Sequence, residues 1–168
     1  SSDVCSSDLS CQCCSFAPFC LANEQIGQPT FDNHVHLNRH EHLHFPKYPD
    51  LKLFAVKKGA LKASQVEVEG REIIRSFYFI GDIIGYEAIY NKEYLYTTVA
   101  LSEVELCEIP YEQFLKLLQT RPKLQERILY LMSRELTVGT YTTAVPAEQR
   151  LAAFLLDIKK RLKCAAGC

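Results

Sequence analysis

Between about His34 and Pro110 the apolar positions fall in short runs that alternate with polar ones and are broken at glycines. This is the period of half-buried strands rather than helices. "KLFAVKKGALKAS" predicts a hairpin turning at Lys58-Gly59, and "SQVEVEGREIIRSFYFIGD" a second turning at Glu69-Gly70. "YLYTTVALSEVELCEIP" predicts two more strands, its Val, Leu and Ile alternating with polar residues. Many short strands with glycine turns point to a barrel or roll. Glu103 and Glu105 fall on the polar phase of the last strand and read as its wet face.

After Pro110 the period changes. "YEQFLKLLQT" predicts a short helix, Pro122 stands where a first helical turn tolerates it, and "KLQERILYLMSREL" sets Leu124, Ile128, Leu131 and Glu135/Leu136 at steps of three and four. A single amphipathic helix behind a roll needs a partner for that stripe. Two are open, its own domain or a second copy of the chain, and the second copy is the preferred reading, with Leu124, Ile128, Leu131 and Glu135 at the dimer seam. "PAEQRLAAFLLDIKKRL" predicts another helix, with Pro146 near its start and basic residues at its end. The organisation expected is a flexible or non-native extension over 1–10, a cysteine-rich segment over 11–33, a β-roll over 34–119, a dimerisation helix over 120–145 and the start of a connector over 146–168. The fold class is α+β, mainly β.

Composition narrows the classes. A chain of 168 residues that is 48% hydrophobic and 23% charged suffices for one substantial core. A net charge of -1 gives no general attraction to a phosphate backbone. No apolar run reaches the length of a membrane span and the first residues lack the pattern of a secretory signal, so a cytoplasmic protein that does not enter the membrane is expected. Eight cysteines in such a chain fit a metal better than a disulfide framework.

Four of the eight fall in "CQCCSFAPFC". Cys11, Cys14 and Cys20 have the spacing C-x2-C-x5-C, a tight loop able to turn three thiolates toward one centre. Iron-sulfur cubanes and structural zinc both take four ligands, so a fourth is needed. Cys107, at the end of a predicted strand in "VELCEIP", is distinctive among the rest and reachable in a compact roll; Cys164 and Cys168 sit in a small-residue tail, and Cys13 is an extra within the loop. By spacing alone an iron-sulfur cluster, zinc and incidental thiols all remain open.

"CQCCSFAPFC", "GDIIGYEAI", "CEIP" and "RLAAF", in that order, resemble the sensory half of the fumarate and nitrate reduction regulators, the anaerobic oxygen sensors of the Crp/Fnr superfamily. The likeness spans roughly residues 11 to 162, more loosely around 21 to 50. It implies a cyclic-nucleotide-binding-like double-stranded β-helix followed by a long dimerisation helix, and a 4Fe-4S cluster held by Cys11, Cys14, Cys20 and Cys107, with zinc as the alternative. It also implies that oxygen degrades the cluster and so shifts a homodimer toward monomer. Phe16 and Phe19 would shield the cluster or simply pack. The hairpin tip Glu67, Glu69, Gly70, Arg71 and Glu72 resembles a surface that touches RNA polymerase. Two features depart from the pattern. The DNA-reading helix-turn-helix domain is not in this span, so DNA and polymerase are partners only through a full-length regulator. The segment "SRELTVGTYTTAVPAEQRLAAF" is also about one helical turn shorter than the pattern expects.

Two further readings compete. His34, His36, His40, His42 and His44 alternate, so on one strand they would share a face; His34, His36 and Glu41 imitate the first metal motif of cupin enzymes, although no later histidine follows. A nucleotide-sensing module would place Arg and Ser where "YLYTTVA" has Tyr94 and Leu95, and the cyclic phosphate would then lack its partner. No nucleophile triad or phosphate-cradling glycine loop stands out, so no enzymatic activity is expected.

Overall fold

A computed structural model describes residues 33–166, with side chains described outside 138–144 and 162–166. The chain divides into two compact units, one ending at Leu115 and one beginning at Lys116. Among the described residues the first holds seven strands: β1 (His34–Leu37), β2 (Lys52–Lys58), β3 (Leu61–Val66), β4 (Glu72–Tyr78), β5 (Ile83–Ile84), β6 (Thr97–Ala100) and β7 (Val104–Pro110), with a short helix α1 (Glu87–Asn91) before β6. Helices α2 (Tyr111–Thr120), α3 (Pro122–Ala144) and α4 (Ala147–Ala166) follow.

Two antiparallel sheets form the roll, one in the order β1-β7-β2-β5 and one in the order β4-β3-β6. Leu37, Phe54, Val56, Ile84, Val104 and Leu106 from the first share a core with Leu61, Ala63, Tyr78 and Ala100 from the second. Phe54, Leu61 and Leu106 are essentially fully buried, each contributing about 2 to 3 kcal/mol by removal from water. Period-2 alternation on both strand sets makes this core, so the β-roll expectation holds.

The turn at Glu69-Gly70 joins a true hairpin, in which Val66 lies opposite Glu72 and Gly70 N–H donates to the Glu67 carbonyl. The turn after Lys58 does not. β2 and β3 belong to different sheets, so this is a corner where the chain leaves one sheet for the other. β6 and β7 switch sheets in the same way, and the two corners stack: Leu101 N–H donates to the Ala60 carbonyl and Ala60 N–H to Ser102 Oγ. Gly59 has φ +85°, and a Cβ there would lie 2.2 Å from the Glu103 carbonyl oxygen. A glycine between two alternating runs marks a tight reversal but does not say whether the strands pair or part.

The histidines do not share a face. β1 ends at Leu37; a turn follows, closed by Asn38 N–H donating to Glu41 Oε2 (2.7 Å), with His40 at φ +73°. His42 then bridges to Val99 in the other sheet. Only His34 and His36 occupy one strand. The Asn-Arg-His-Glu stretch supplies its own side-chain turn, and that local bond outweighs the alternation.

In the second unit Pro122 stands at the start of α3, and only Val145 and Pro146 separate α3 from α4. No helix among the described residues is long and apolar enough to cross a membrane.

Candidate functional site

Cys107 lies in the middle strand β7, paired on one side with His34 of β1 and on the other with Ala55 of β2. Its thiol is not in a disulfide, and the residue is buried. Because side chains alternate along a strand, Glu105 shares its face, as does the cross-strand neighbour His34. The first strand after the cysteine-rich segment thus begins directly beside Cys107. Cys11, Cys13, Cys14, Cys20, Phe16 and Phe19 lie outside the described residues, as does Cys168; the side chain of Cys164 does too.

A polar network adjoins Cys107. The ladder between β2 and β7 slips between Val56 and Lys58, leaving Lys57 as an extra residue that turns toward Glu105. Lys57 Nζ is 2.7 Å from Glu105 Oε1 and 3.1 Å from His34 Nδ1, and that nitrogen is itself 3.1 Å from Glu105 Oε1. The Lys57 side chain is only 3% exposed. Burial raises the Glu105 pKa, but the hydrogen bonds and charges of Lys57 and His34 outweigh it and hold the carboxyl below its usual range. Glu105 is therefore not a wet strand position; Glu103, 73% exposed and paired with Lys58 at 2.8 Å, is. The alternation cannot tell the two apart, because the bulge that buries Lys57 belongs to strand pairing.

Among the described residues no group of three or more His, Cys, Asp and Glu side chains is disposed to hold a metal. The cupin-like trio is not brought together: the Glu41 carboxylate caps its own turn at Asn38 while His34 faces Glu105.

The position at which a nucleotide module would present arginine is filled by an aromatic. Tyr94 stacks on Phe45 (centroids 4.2 Å apart, 14° between planes), and Phe45 meets the buried Phe54 edge-on at 5.7 Å. The Tyr94 hydroxyl accepts from Lys52 N–H (2.8 Å) and donates to the Lys52 carbonyl (2.7 Å). Lys52 pairs in the ladder with Pro110, and the tyrosine completes on its other side what a further strand would have supplied. Nearby, burial raises the pKa of Glu87 at the start of α1.

At the β3–β4 tip, Arg71 is bound at 3.0 Å to Glu67 and lies 4.0 Å from Glu69, while Glu72 pairs with Lys62 at 2.9 Å. Val68, between them, is fully exposed. On α3 the residues expected at a dimer seam divide. Leu124, Ile128 and Leu131 are already buried within the single chain, and Glu135 pairs with Arg134 at 3.0 Å. Leu129, Met132 and Leu136 remain exposed at steps of three and four, with Tyr130 beside them under the Arg127 guanidinium. The amphipathic pattern conceals two apolar stripes, and periodicity alone cannot say which of them the chain itself covers.

The two-sheet antiparallel roll is the architecture of a cyclic-nucleotide-binding-type domain. Residues 34–121, just over half of the chain, match the family model described as cyclic nucleotide-binding domain, and the chain belongs to that family. Within it the chain is of the fumarate and nitrate reduction regulator type of the Crp/Fnr superfamily. It is 30% identical over 165 residues to the anaerobic regulatory protein of Pasteurella multocida, covering 91% of this chain and 60% of that protein. It is 30% identical over 164 residues to the fumarate and nitrate reduction regulatory protein of Vibrio cholerae, covering 91% of this chain and 65% of that protein. The chain thus spans under two thirds of the length of these relatives. Among solved structures it is similar to FixK2 of Bradyrhizobium japonicum, with a TM-score of 0.62 and 18% identity over 77% of this chain and 66% of that one, a likeness of fold.

Proposed function

We propose that this chain is the sensory and dimerisation part of an oxygen-responsive transcriptional regulator, with Cys11, Cys14, Cys20 and Cys107 as the ligands of a 4Fe-4S cluster. The observation that carries this reading is the register of β1 on β7: it sets the residue that follows the cysteine-rich segment, His34, opposite the buried thiol of Cys107. The donor chemistry fits. Three thiols in C-x2-C-x5-C need a fourth, and a buried cysteine stands where the segment joins the roll. When bound, the cluster would supply the oxygen-sensitive chemistry. The chain's own residues hold it and link its presence to the fold, since ligands gathered from both ends of the roll make metal binding a part of folding free energy.

Coupling to a second copy would run through α3. With Leu124, Ile128 and Leu131 covered, the stripe of Leu129, Met132 and Leu136 is the exposed one, so the dimer seam is assigned to that face of the helix. The remainder of a full-length regulator would read DNA, and the β3–β4 tip with its exposed Val68 is the surface offered to RNA polymerase. A nucleotide is not the ligand favoured, because Tyr94, stacked on Phe45 and through it on the buried Phe54, stands where the arginine would be wanted.

The test is an ultraviolet-visible spectrum with iron and zinc analysis of protein purified without oxygen and then exposed to air, for wild type and Cys107→Ser. A brown protein with about four irons, absorbing near 400 nm and bleaching in air, is expected of wild type. The variant should be colourless with an unchanged circular-dichroism spectrum. Zinc in a colourless wild type would replace the cluster with a structural site, and a cluster that survives Cys107→Ser would remove Cys107 from the ligands.

A further inference from the structure

The cluster reading does not use the buried ammonium of Lys57. Placing a lysine nitrogen at 3% exposure is costly unless its charge and hydrogen bonds are matched, and here a carboxylate and an imidazole match it from two other strands. Lys57 comes from β2, Glu105 from β7 and His34 from β1, so the triangle crosses three strands of one sheet. Whichever tautomer His34 adopts, its Nδ1 is engaged: protonated it donates to Glu105, unprotonated it accepts from Lys57.

β1 needs such a tie. It is four residues long and, among the described residues, lies at the sheet edge with β7 as its one strand neighbour. Short edge strands open at low cost. The next pair along the sheet, Lys58 with Glu103, is mostly solvated at 59% and 73% exposure and adds little. The triangle, buried at Lys57 and partly exposed at Glu105 and His34, sits at the residue pair that contains Cys107, because His34 is the cross-strand partner of that cysteine.

We propose that Lys57, Glu105 and His34 form a three-strand clip that fastens β1 to β7 and thereby holds the cysteine-rich segment at Cys107. The three are positioning residues for the metal site, acting through strand register. The fastening of β1 stands independently of what the cysteines bind, whereas the effect on metal retention rests on the cluster reading.

The experiment compares wild type with Glu105→Gln, which keeps size and removes charge, and with His34→Ala, which leaves the Lys57–Glu105 pair in place and serves if the first fails to fold. Backbone amide exchange is measured by mass spectrometry in metal-free protein. Loss of one charged hydrogen bond predicts exchange at Val35 to Leu37 about tenfold faster, with β3 and β6 unchanged. In the same metal-free samples a short bis-maleimide, which adds one cysteine thiol to each ring, should join Cys107 to the cysteines of segment 11–20 several-fold more slowly in the variants, as read by peptide mapping. In reconstituted protein, iron or zinc should be lost to a chelator several-fold faster. Unchanged β1 exchange in both variants would overturn the clip. Faster exchange with unchanged cross-linking would overturn its hold on the cysteine segment. If wild type binds no metal, the cluster reading fails, while exchange and cross-linking still decide the clip.

Discussion

Tyr94→Phe is the substitution whose effect the structure defines most narrowly. It deletes one oxygen atom and leaves in place the ring that stacks on Phe45 at 4.2 Å. What goes is the hydroxyl that spans Lys52 N–H and carbonyl at 2.8 and 2.7 Å, two bonds to a backbone whose ladder partner is the proline at 110. Each is worth about 1 kcal/mol net, so the cost is about 2 kcal/mol, tempered at the half-exposed Lys52 by water that can reach the freed groups. In urea this corresponds to a midpoint lower by about 1 M, for a slope near 2 kcal/mol/M. Local exchange of the Lys52 amide should rise about 30-fold. Burial, together with Glu87 and Glu108, also raises the Tyr94 phenol pKa above its ordinary value, despite the opposing pull of the bond to Lys52. The folded state therefore favours the neutral phenol. That part of the stability is complete below about pH 10 and is lost as pH climbs through the folded pKa; the variant should lack the loss. Urea and alkaline titrations followed by circular dichroism read both effects. A midpoint within about 0.2 M of wild type, with the Lys52 amide equally protected, would refute the claim that this hydroxyl serves as a strand's hydrogen-bonding edge.

Three other outcomes are expected. Gly70→Ala, at φ +80° with open space around it, should cost about 1 kcal/mol, whereas Gly59→Ala at φ +85° must also move the Glu103 carbonyl and should cost about 3 kcal/mol or more; equal denaturation midpoints would contradict the stacking of the two corners. Glu87→Gln should stabilise the roll at neutral pH: burial raises the carboxyl pKa, so wild type loses stability as pH rises from the unfolded pKa through the folded one, and the gain should vanish below about pH 4 in thermal melts. Leu136→Asp, at an exposed α3 position, should leave the melting temperature nearly unchanged and abolish concentration-dependent association in sedimentation of the metal-loaded protein, while Leu131→Asp should unfold the chain. Loss of association without loss of fold in Leu131→Asp would return the seam to the buried stripe.

Local chemistry was legible wherever it depended on neighbours in the chain. The period-2 runs, the hairpin at Glu69-Gly70, the proline that opens α3 and the C-x2-C-x5-C spacing with its distant Cys107 can all be read directly, because turn residues, helix caps and ligand spacing act over a few positions. What tertiary structure alone decided was which segments meet. The Lys58-Gly59 turn became a corner between sheets, the histidine run broke at a side-chain-capped turn, and β1 reached β7 in the register that sets His34 beside Cys107. Lys57 reads as a surface charge in sequence and is buried because a bulge turns it onto Glu105; of the two apolar stripes of α3, the chain covers Leu124, Ile128 and Leu131 and leaves Leu129, Met132 and Leu136 exposed. Alternation and helical period state which residues can be buried together, but strand pairing and packing partners are long-range contacts whose stability depends on the whole core, so the pattern of one segment does not contain them.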